Sequence, residues 1–380
     1  MSQVKETGVM ATPPKIQSQR LAPWLQTQLE SLLLQRGHAW LLSGPSGLGQ
    51  FDLALALAGA WLCDKPGAQG ACGECGSCHA VTVHTHADLF MLMPESLSLA
   101  LGWPLDEKTQ DDLDSKKRKP SKEIKVDAAR EAVSFTQFTR SRGTTKVVLV
   151  FPAERMNHIT ANTLLKTLEE PPGAVKFILA TEAAHQLLPT IRSRCLGHTM
   201  IWPDFDLALA WLGSETLRPD AGEGSSKKPA RPPEAADLQT LLVGAGGRPA
   251  DALSWAHQSQ PGDAAQHWRA LPHAMARGDT SALANWLPAQ AVDALQKLCH
   301  DMWAVRVGAL PRFFSARDLP VVMSVKPGAA PSGSFQASMY ALATWSKELS
   351  TIARTIEHPY NPGLLLESLV SRARAALNAN

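Results

Sequence analysis

Residues 39–51 read Ala39-Trp40-Leu41-Leu42-Ser43-Gly44-Pro45-Ser46-Gly47-Leu48-Gly49-Gln50-Phe51, and this stretch decides the fold. A short apolar run enters a turn-rich, glycine-spaced loop, and an alanine- and leucine-rich helix leaves it, from Gln50 to about Trp61. Strand, glycine loop and helix in that order are the context of a phosphate-binding loop of the form G-x-x-x-x-G-K-[ST]. The scaffold glycines Gly44 and Gly49 are present. Gln50, however, stands where a lysine would offset phosphate charge, and Phe51 where a hydroxyl would hold Mg²⁺. A neutral amide offsets no charge, and a phenyl ring offers a metal no oxygen. The loop is degenerate, and no ATP hydrolysis is expected at it.

Outward from the loop, Leu25, Leu29, Leu32 and Leu33 mark a helix within Leu21–Arg36. His86–Met93, Lys146–Val150 and Val175–Thr181 read as further strands. Helices are expected over Val126–Thr139, over Ile159–Glu170 (stopped by Pro171-Pro172) and over Ala184–Arg194. The alternation predicts an α/β domain over 1–203 with a parallel sheet and helices on both faces. Glu95–Glu123 is polar, ends in Lys116-Lys117-Arg118-Lys119, and reads as a mobile insertion. After Pro203 helices dominate. Residues 204–258 read as a small helical domain with a flexible loop at 218–233, and 259–380 as an all-α domain anchored by Trp268, Trp286, Trp303 and Trp345.

A hydrolysing site would also need carboxylates at the tip of the strand ending at Val150. Phe151-Pro152-Ala153-Glu154 stands there instead. Glu154 falls two or three positions late and reads as a solvated residue at a helix start.

A net charge of +2 over 380 residues gives no global field for nucleic acid. The first twenty residues lack an apolar core for secretion, and Leu53–Leu62 is far too short for a bilayer, so a cytoplasmic protein without membrane contact is expected. Four of six cysteines, Cys63, Cys72, Cys75 and Cys78, form C-x8-C-x2-C-x2-C inside a module at about 61–80. Four thiolates can close a tetrahedral Zn²⁺ site, with an iron–sulfur cluster as the rival of the same ligand type. Gly70, Gly73 and Gly76 allow tight turns there. His79 is an outside ligand candidate, whereas His84 and His86 are expected to pack or cap.

The segment Ala161-Asn162-Thr163-Leu164-Leu165-Lys166-Thr167-Leu168-Glu169-Glu170-Pro171-Pro172 resembles the signature helix of AAA+ sliding-clamp loaders. So do Phe177-Ile178-Leu179-Ala180-Thr181, Ile191-Arg192-Ser193-Arg194-Cys195, the cysteine cluster and Val126-Asp127-Ala128-Ala129-Arg130-Glu131. Together they resemble the clamp loader of bacterial DNA polymerase III over roughly residues 21–203. The resemblance implies an AAA+-type P-loop fold, a helical lid domain and an all-α collar that holds a hetero-pentamer. It also implies partners: ATPase subunits, a delta subunit, a sliding clamp and, through the complex, primer-template DNA. This chain would be a subunit without its own ATPase, in an assembly whose overall activity is DNA-directed DNA polymerase (nucleotidyltransferase).

The resemblance further implies a structural zinc and a role for Arg194 as an arginine finger directed at a neighbour's ATP. Without the motif, Arg192 and Arg194 read as ordinary charges at a helix end. Thr181 reads as a strand-end hydrogen-bonding residue, Lys166 equally as a phosphate contact or a solvated cation, and Lys116–Lys119 as solvated charge. Arg248 lies near a second phosphate-sensor position but is not assigned to it. The alternatives are a zinc-containing P-loop ATPase, or a DNA-binding adaptor, acting on its own.

Overall fold

The computed structural model describes residues 21–217, 234–258, 261–284, 286–320, 333–356 and 360–379. The polar stretch Met1–Arg20 and the loop expected at 218–233 lie outside them. The chain folds as two units that part between Leu207 and Ala208.

In the first unit, α1 (Pro23–Leu33) buries Trp24, Leu25, Leu29 and Leu32 along one stripe. The elements that follow are β1 (Ala39–Ser43), α2 (Gln50–Leu62), α3 (Gly76–Thr82), β2 (Leu89–Leu92), α4 (Glu95–Leu101) and α5 (Glu107–Asp114). Then come α6 (Val126–Gln137), β3 (Lys146–Val150), α7 (His158–Glu169), β4 (Val175–Thr181), α8 (Pro189–Arg192) and β5 (Leu196–Thr199). The five strands form one sheet in the order β2-β3-β4-β1-β5, and every neighbouring pair is parallel. β3 is buried along its whole length, as its unbroken apolar run requires of a central parallel strand. Ser43 lies opposite Thr181 at the carboxyl ends of β1 and β4, the edge of a parallel sheet where ligands bind.

Two buried charges fix the opposite edge. Lys146 Nζ donates to the Phe135 and Phe138 carbonyls at 2.7 and 3.1 Å, satisfying the end of α6. Asp88, fully buried, accepts the N–H groups of Ser141 and Arg142 at 2.9 and 2.6 Å.

Three expectations are corrected. The helix expected over Ala184–Arg194 is broken into a 3₁₀ turn at Ala184–Gln186 and the single-turn α8. Pro189 forces Leu188 into an extended conformation between them. β5 is a strand that periodicity missed: it is a short, mostly exposed edge strand containing Gly197, and its pairing with β1 defines it. Glu95–Glu123 is not an irregular segment but carries α4 and α5. Its ends are joined by Glu95, whose carboxylate accepts from Arg118 at 2.5 and 3.0 Å, from Lys125 Nζ at 2.6 Å and from Ser121 N at 2.9 Å. Burial alone would raise the Glu95 carboxyl, but the Arg118 and Lys125 donors hold it down at about 2.

Among its described residues the second unit holds helices and no strand: α9 (Phe205–Thr216), which runs into it, then α10 (Ala235–Gly244), α11 (Pro249–Gln258), α12 (Pro261–Arg277), α13 (Pro288–Arg306), α14 (Gly333–Thr355) and α15 (Pro362–Leu377). One apolar cluster gathers Leu212, Leu238, Leu241 and Leu242. A larger one gathers Trp268, Met302, Trp345 and Val370, with Trp286 and Trp303 at its margin. Asp301, fully buried in α13, accepts the N–H groups of Arg312, Phe313 and Phe314 at 2.7–2.8 Å and so pins the segment that follows α13.

Candidate functional site

The glycine loop keeps its shape. Gly49 takes a φ of +92° as it caps α2, and Gly47 takes +77°, both left-handed values that favour glycine. A Cβ at Gly44 would lie 2.8 Å from that of Met200. The loop's back is held by Trp24 Nε1, which donates to the Leu48 carbonyl at 3.2 Å.

Both chemical positions are turned to structure. Gln50 is buried, and its Nε2 donates to the Gly44 and Pro45 carbonyls at 2.7 Å each, closing the loop on itself. Phe51 is buried too, and its ring faces Phe151 with centroids 5.1 Å apart. The positions that would supply the Mg²⁺ hydroxyl and a strand-tip carboxylate thus meet as two phenyl rings. Both residues stand out in the sequence, but nothing local to either signals that they touch.

Asp52, in the first turn of α2, is a site residue that the sequence did not flag. Partial burial raises its carboxyl from 3.8 to about 6. The folded state therefore binds the proton more tightly than the unfolded chain. The stability this confers is full below about pH 4 and lost as pH rises through 6. The cost of the charged form is at most about 3 kcal/mol, and the α2 dipole offsets about 0.3–1 kcal/mol of it. Asp52→Asn is thus expected to stabilise the chain at pH 7.5 by roughly 2 kcal/mol, with the gain vanishing near pH 4. Urea unfolding at both pH values checks this; an equal effect at both would refute it.

Glu154 corrects a further expectation. It is not a solvated helix-start residue: its carboxylate accepts the Thr181 hydroxyl at 2.7 Å and the Glu182 N–H at 3.1 Å. Thr181, fully buried, makes the strand-end hydrogen bond expected of it. Lys166 is exposed on α7. Of the Lys116–Lys119 run, Arg118 is bound to Glu95 and Lys117 to Asp112 at 3.2 Å. Arg248, in the second unit, donates to the Ala245 carbonyl at 2.8 Å and pairs with Asp251 at 3.1 Å.

Cys63 follows the last residue of α2, Cys75 caps α3 and Cys78 lies within it, so two helix ends deliver three thiols and the intervening loop delivers Cys72. The four sulfurs all lie within 4.8 Å of one another. Individual separations are 3.8 Å for Cys63–Cys75, 3.9 Å for Cys72–Cys78 and 3.6 Å for Cys63–Cys78. A tetrahedron with metal–sulfur bonds of about 2.3 Å has edges of about 3.8 Å, so the tetrad can hold one metal ion. Backbone N–H groups of Glu74 and Cys75 hold the Cys72 thiol down at about 6, while burial pushes Cys78 up to about 12. Cys63 Sγ accepts from Lys65 N and Cys72 N at 3.4 and 3.3 Å.

Gly70 and Gly73 take positive φ, +114° and +78°, at the tight turns expected there, whereas Gly76 opens α3, with Arg142 beside it. The tetrad does not include His79, which is exposed. His84 stacks on Trp103 at 3.9 Å, and buried His86 accepts from Asp88 N at 3.1 Å.

Arg194 follows α8 and is partly exposed. Its Nε donates to Glu169 Oε1 at 2.6 Å and its Nη1 to the Thr190 carbonyl at 2.8 Å; Nη2 also contacts Glu169 Oε1. Cys195 turns toward the core, and burial pushes its thiol up to about 12.

A five-stranded parallel sheet, with a glycine loop between β1 and the helix that follows it, defines an α/β protein with its candidate site at the carboxyl ends of the strands. The family described as "DNA polymerase III, delta subunit" matches residues 18–200. A DNA polymerase III subunit delta′ from Escherichia coli is 32% identical over 286 residues, covering 73% of this chain and 77% of that one. The delta′ subunit of Pseudomonas aeruginosa is 37% identical over 229 residues, covering 60% of this chain; the match spans 58% of the Pseudomonas protein's own length. Among solved structures, a gamma-subunit-related protein of DNA polymerase III from Thermotoga maritima aligns with a TM-score of 0.43 at 16% identity, over 93% of this chain and 100% of that one. The chain belongs to the DNA polymerase III delta′ subunit family. Among the described residues, no helix is long and apolar enough to cross a membrane.

Proposed function

We propose that this chain is a non-hydrolysing subunit of a bacterial DNA polymerase III clamp loader. It helps ATPase subunits and a delta subunit, in a hetero-pentamer, to set the sliding clamp on primer-template DNA in the cytoplasm. The observation that carries this reading is the packing of Phe51 on Phe151, with Gln50 bonded back to the loop carbonyls. The two phenyl rings offer Mg²⁺ and an attacking water no oxygen, so on this reading the energy comes from ATP on other subunits. Arg194 serves such an ATP in trans as an arginine finger, a role supported by its partly exposed position after α8. The helices of residues 204–258 act as the lid, and those of 259–380 as the collar of the pentamer.

The cysteine tetrad holds a structural Zn²⁺. Its sulfur spacing supports one shared ion over an iron–sulfur cluster, whose ligands sit on separate irons and stand farther apart. Four thiolates leave no open position for catalysis. ATPase assays of the purified chain, alone and with the other loader subunits, test the reading. No turnover is expected from the chain alone, and DNA-stimulated turnover of the complex is expected to depend on its presence. Steady hydrolysis by the isolated chain would overturn it in favour of a self-contained enzyme.

A further inference from the structure

A guanidinium carries five N–H donors in a rigid plane. In Arg194, Glu169 Oε1 takes one from Nε and one from Nη2, and the Thr190 carbonyl takes one from Nη1. One donor on Nη1 and one on Nη2 are left. They are borne by the two nitrogens of the guanidinium's outer edge, and no further partner for those nitrogens is found among the described residues. That edge matches two oxygens of a phosphate.

The groups that hold the inner edge are themselves fixed. Glu169 ends α7 directly after Leu168, which is fully buried, and Pro171-Pro172 prevents the helix from continuing. Thr190 belongs to α8, whose Ile191 is fully buried in the same apolar cluster as Leu168. The Arg194–Glu169 pair is itself open to solvent, with side chains 29% and 47% exposed. Such pairs add little to fold stability. Holding a long, rotamer-rich side chain in one orientation is what this one accomplishes.

We propose that Glu169 is a positioning residue for Arg194. Together with the Thr190 carbonyl it grips the inner edge of the guanidinium, so that the outer two-donor edge is presented preformed to the phosphates of a nucleotide on the neighbouring subunit. This rests on the trans-acting role of Arg194. Without Glu169 the arginine samples many rotamers, and the entropy of ordering it falls on the transition state.

The test uses the reconstituted loader with Glu169→Ala, Glu169→Gln, Arg194→Ala and the Glu169→Ala/Arg194→Ala double variant, each confirmed as assembled by size-exclusion chromatography. Glu169→Ala is expected to lower kcat roughly tenfold to a hundredfold, with the KM for ATP unchanged because the neighbour's own loop binds the nucleotide. Glu169→Gln keeps an acceptor oxygen and the side-chain volume and should restore most of the rate. In the Arg194→Ala background, Glu169→Ala should change nothing further. If Arg194→Ala leaves turnover intact, the trans-acting arginine itself is refuted. If Arg194→Ala slows turnover but Glu169→Ala matches the parent, exceeds it or adds to the Arg194→Ala loss, the positioning role alone is refuted.

Discussion

Replacing Arg194 with alanine is expected to slow hydrolysis of the neighbouring subunit's ATP by about 10³-fold or more while leaving the complex assembled. A loss of that size is about 4 kcal/mol of transition-state stabilisation, far more than a solvent-exposed ion pair contributes to folding, about 0–1 kcal/mol. The two numbers separate the readings of this residue. If Arg194 is an ordinary charge beside α8, its loss costs a little stability and no rate. If its outer edge meets a phosphoryl group in flight, the loss falls on rate and hardly on stability. The measurement is single-turnover hydrolysis in a reconstituted loader whose only hydrolysing subunit is the one facing this chain. Arg194→Lys should recover little, because an ammonium is a point charge and cannot present two parallel donors. Unchanged turnover in Arg194→Ala would sink the assignment.

The second large effect is expected at the cysteine tetrad. Cys75→Ala should reduce bound zinc from one per chain to a small fraction and cost more than about 4 kcal/mol of stability, as loss of a structural metal does. Residues 64–69 and 71–74 are exposed, so little apolar burial holds this module. Apart from the sulfurs, its ties are a Gly67–Gly70 bridge, Gln26 Nε2 donating to the Gln69 carbonyl at 2.9 Å, and Ser77 Oγ donating to Asp64 Oδ1 at 2.7 Å. Cys75 is also the cap of α3, accepting from Cys78 N at 3.4 Å, so its removal frays that helix as well. Elemental analysis and thermal unfolding, with the parent treated by a strong chelator as reference, make the test. Cys299→Ala, in the second unit, should keep the metal. A Cys75→Ala chain that retains full zinc and the parent's unfolding temperature would contradict the proposal.

Much of the α/β unit could be read before the fold was seen. β3 and β4 were legible at their observed bounds because strands covered on both faces are continuous apolar runs, Lys146–Val150 and Val175–Thr181. α7 was legible because Pro171-Pro172 ends it. β5 was not, because an exposed edge strand carries no such run and exists through its pairing with Trp40–Ser43. The helices α4 and α5 were not legible in their polar stretch because low hydrophobicity signals disorder unless charges find partners. Glu95, Arg118 and Lys125 find each other only in the folded chain.

The sequence by itself determined what the glycine loop lacks. Gln50 and Phe51 cannot supply a charge or a metal ligand in any conformation, and no folding restores a functional group that is absent. The donor set of the tetrad was equally fixed by C-x8-C-x2-C-x2-C. Only the tertiary structure decided what became of those positions and which residues joined them. Phe51 meets Phe151, Gln50 closes the loop, Thr181 captures Glu154, and Glu169 grips Arg194. Apart from the local Gln50 closure, each contact joins elements brought together by the order β2-β3-β4-β1-β5 or by the packing of α7 on α8. Which side chains share a site is set by the closure of the chain, and residue types alone do not encode it.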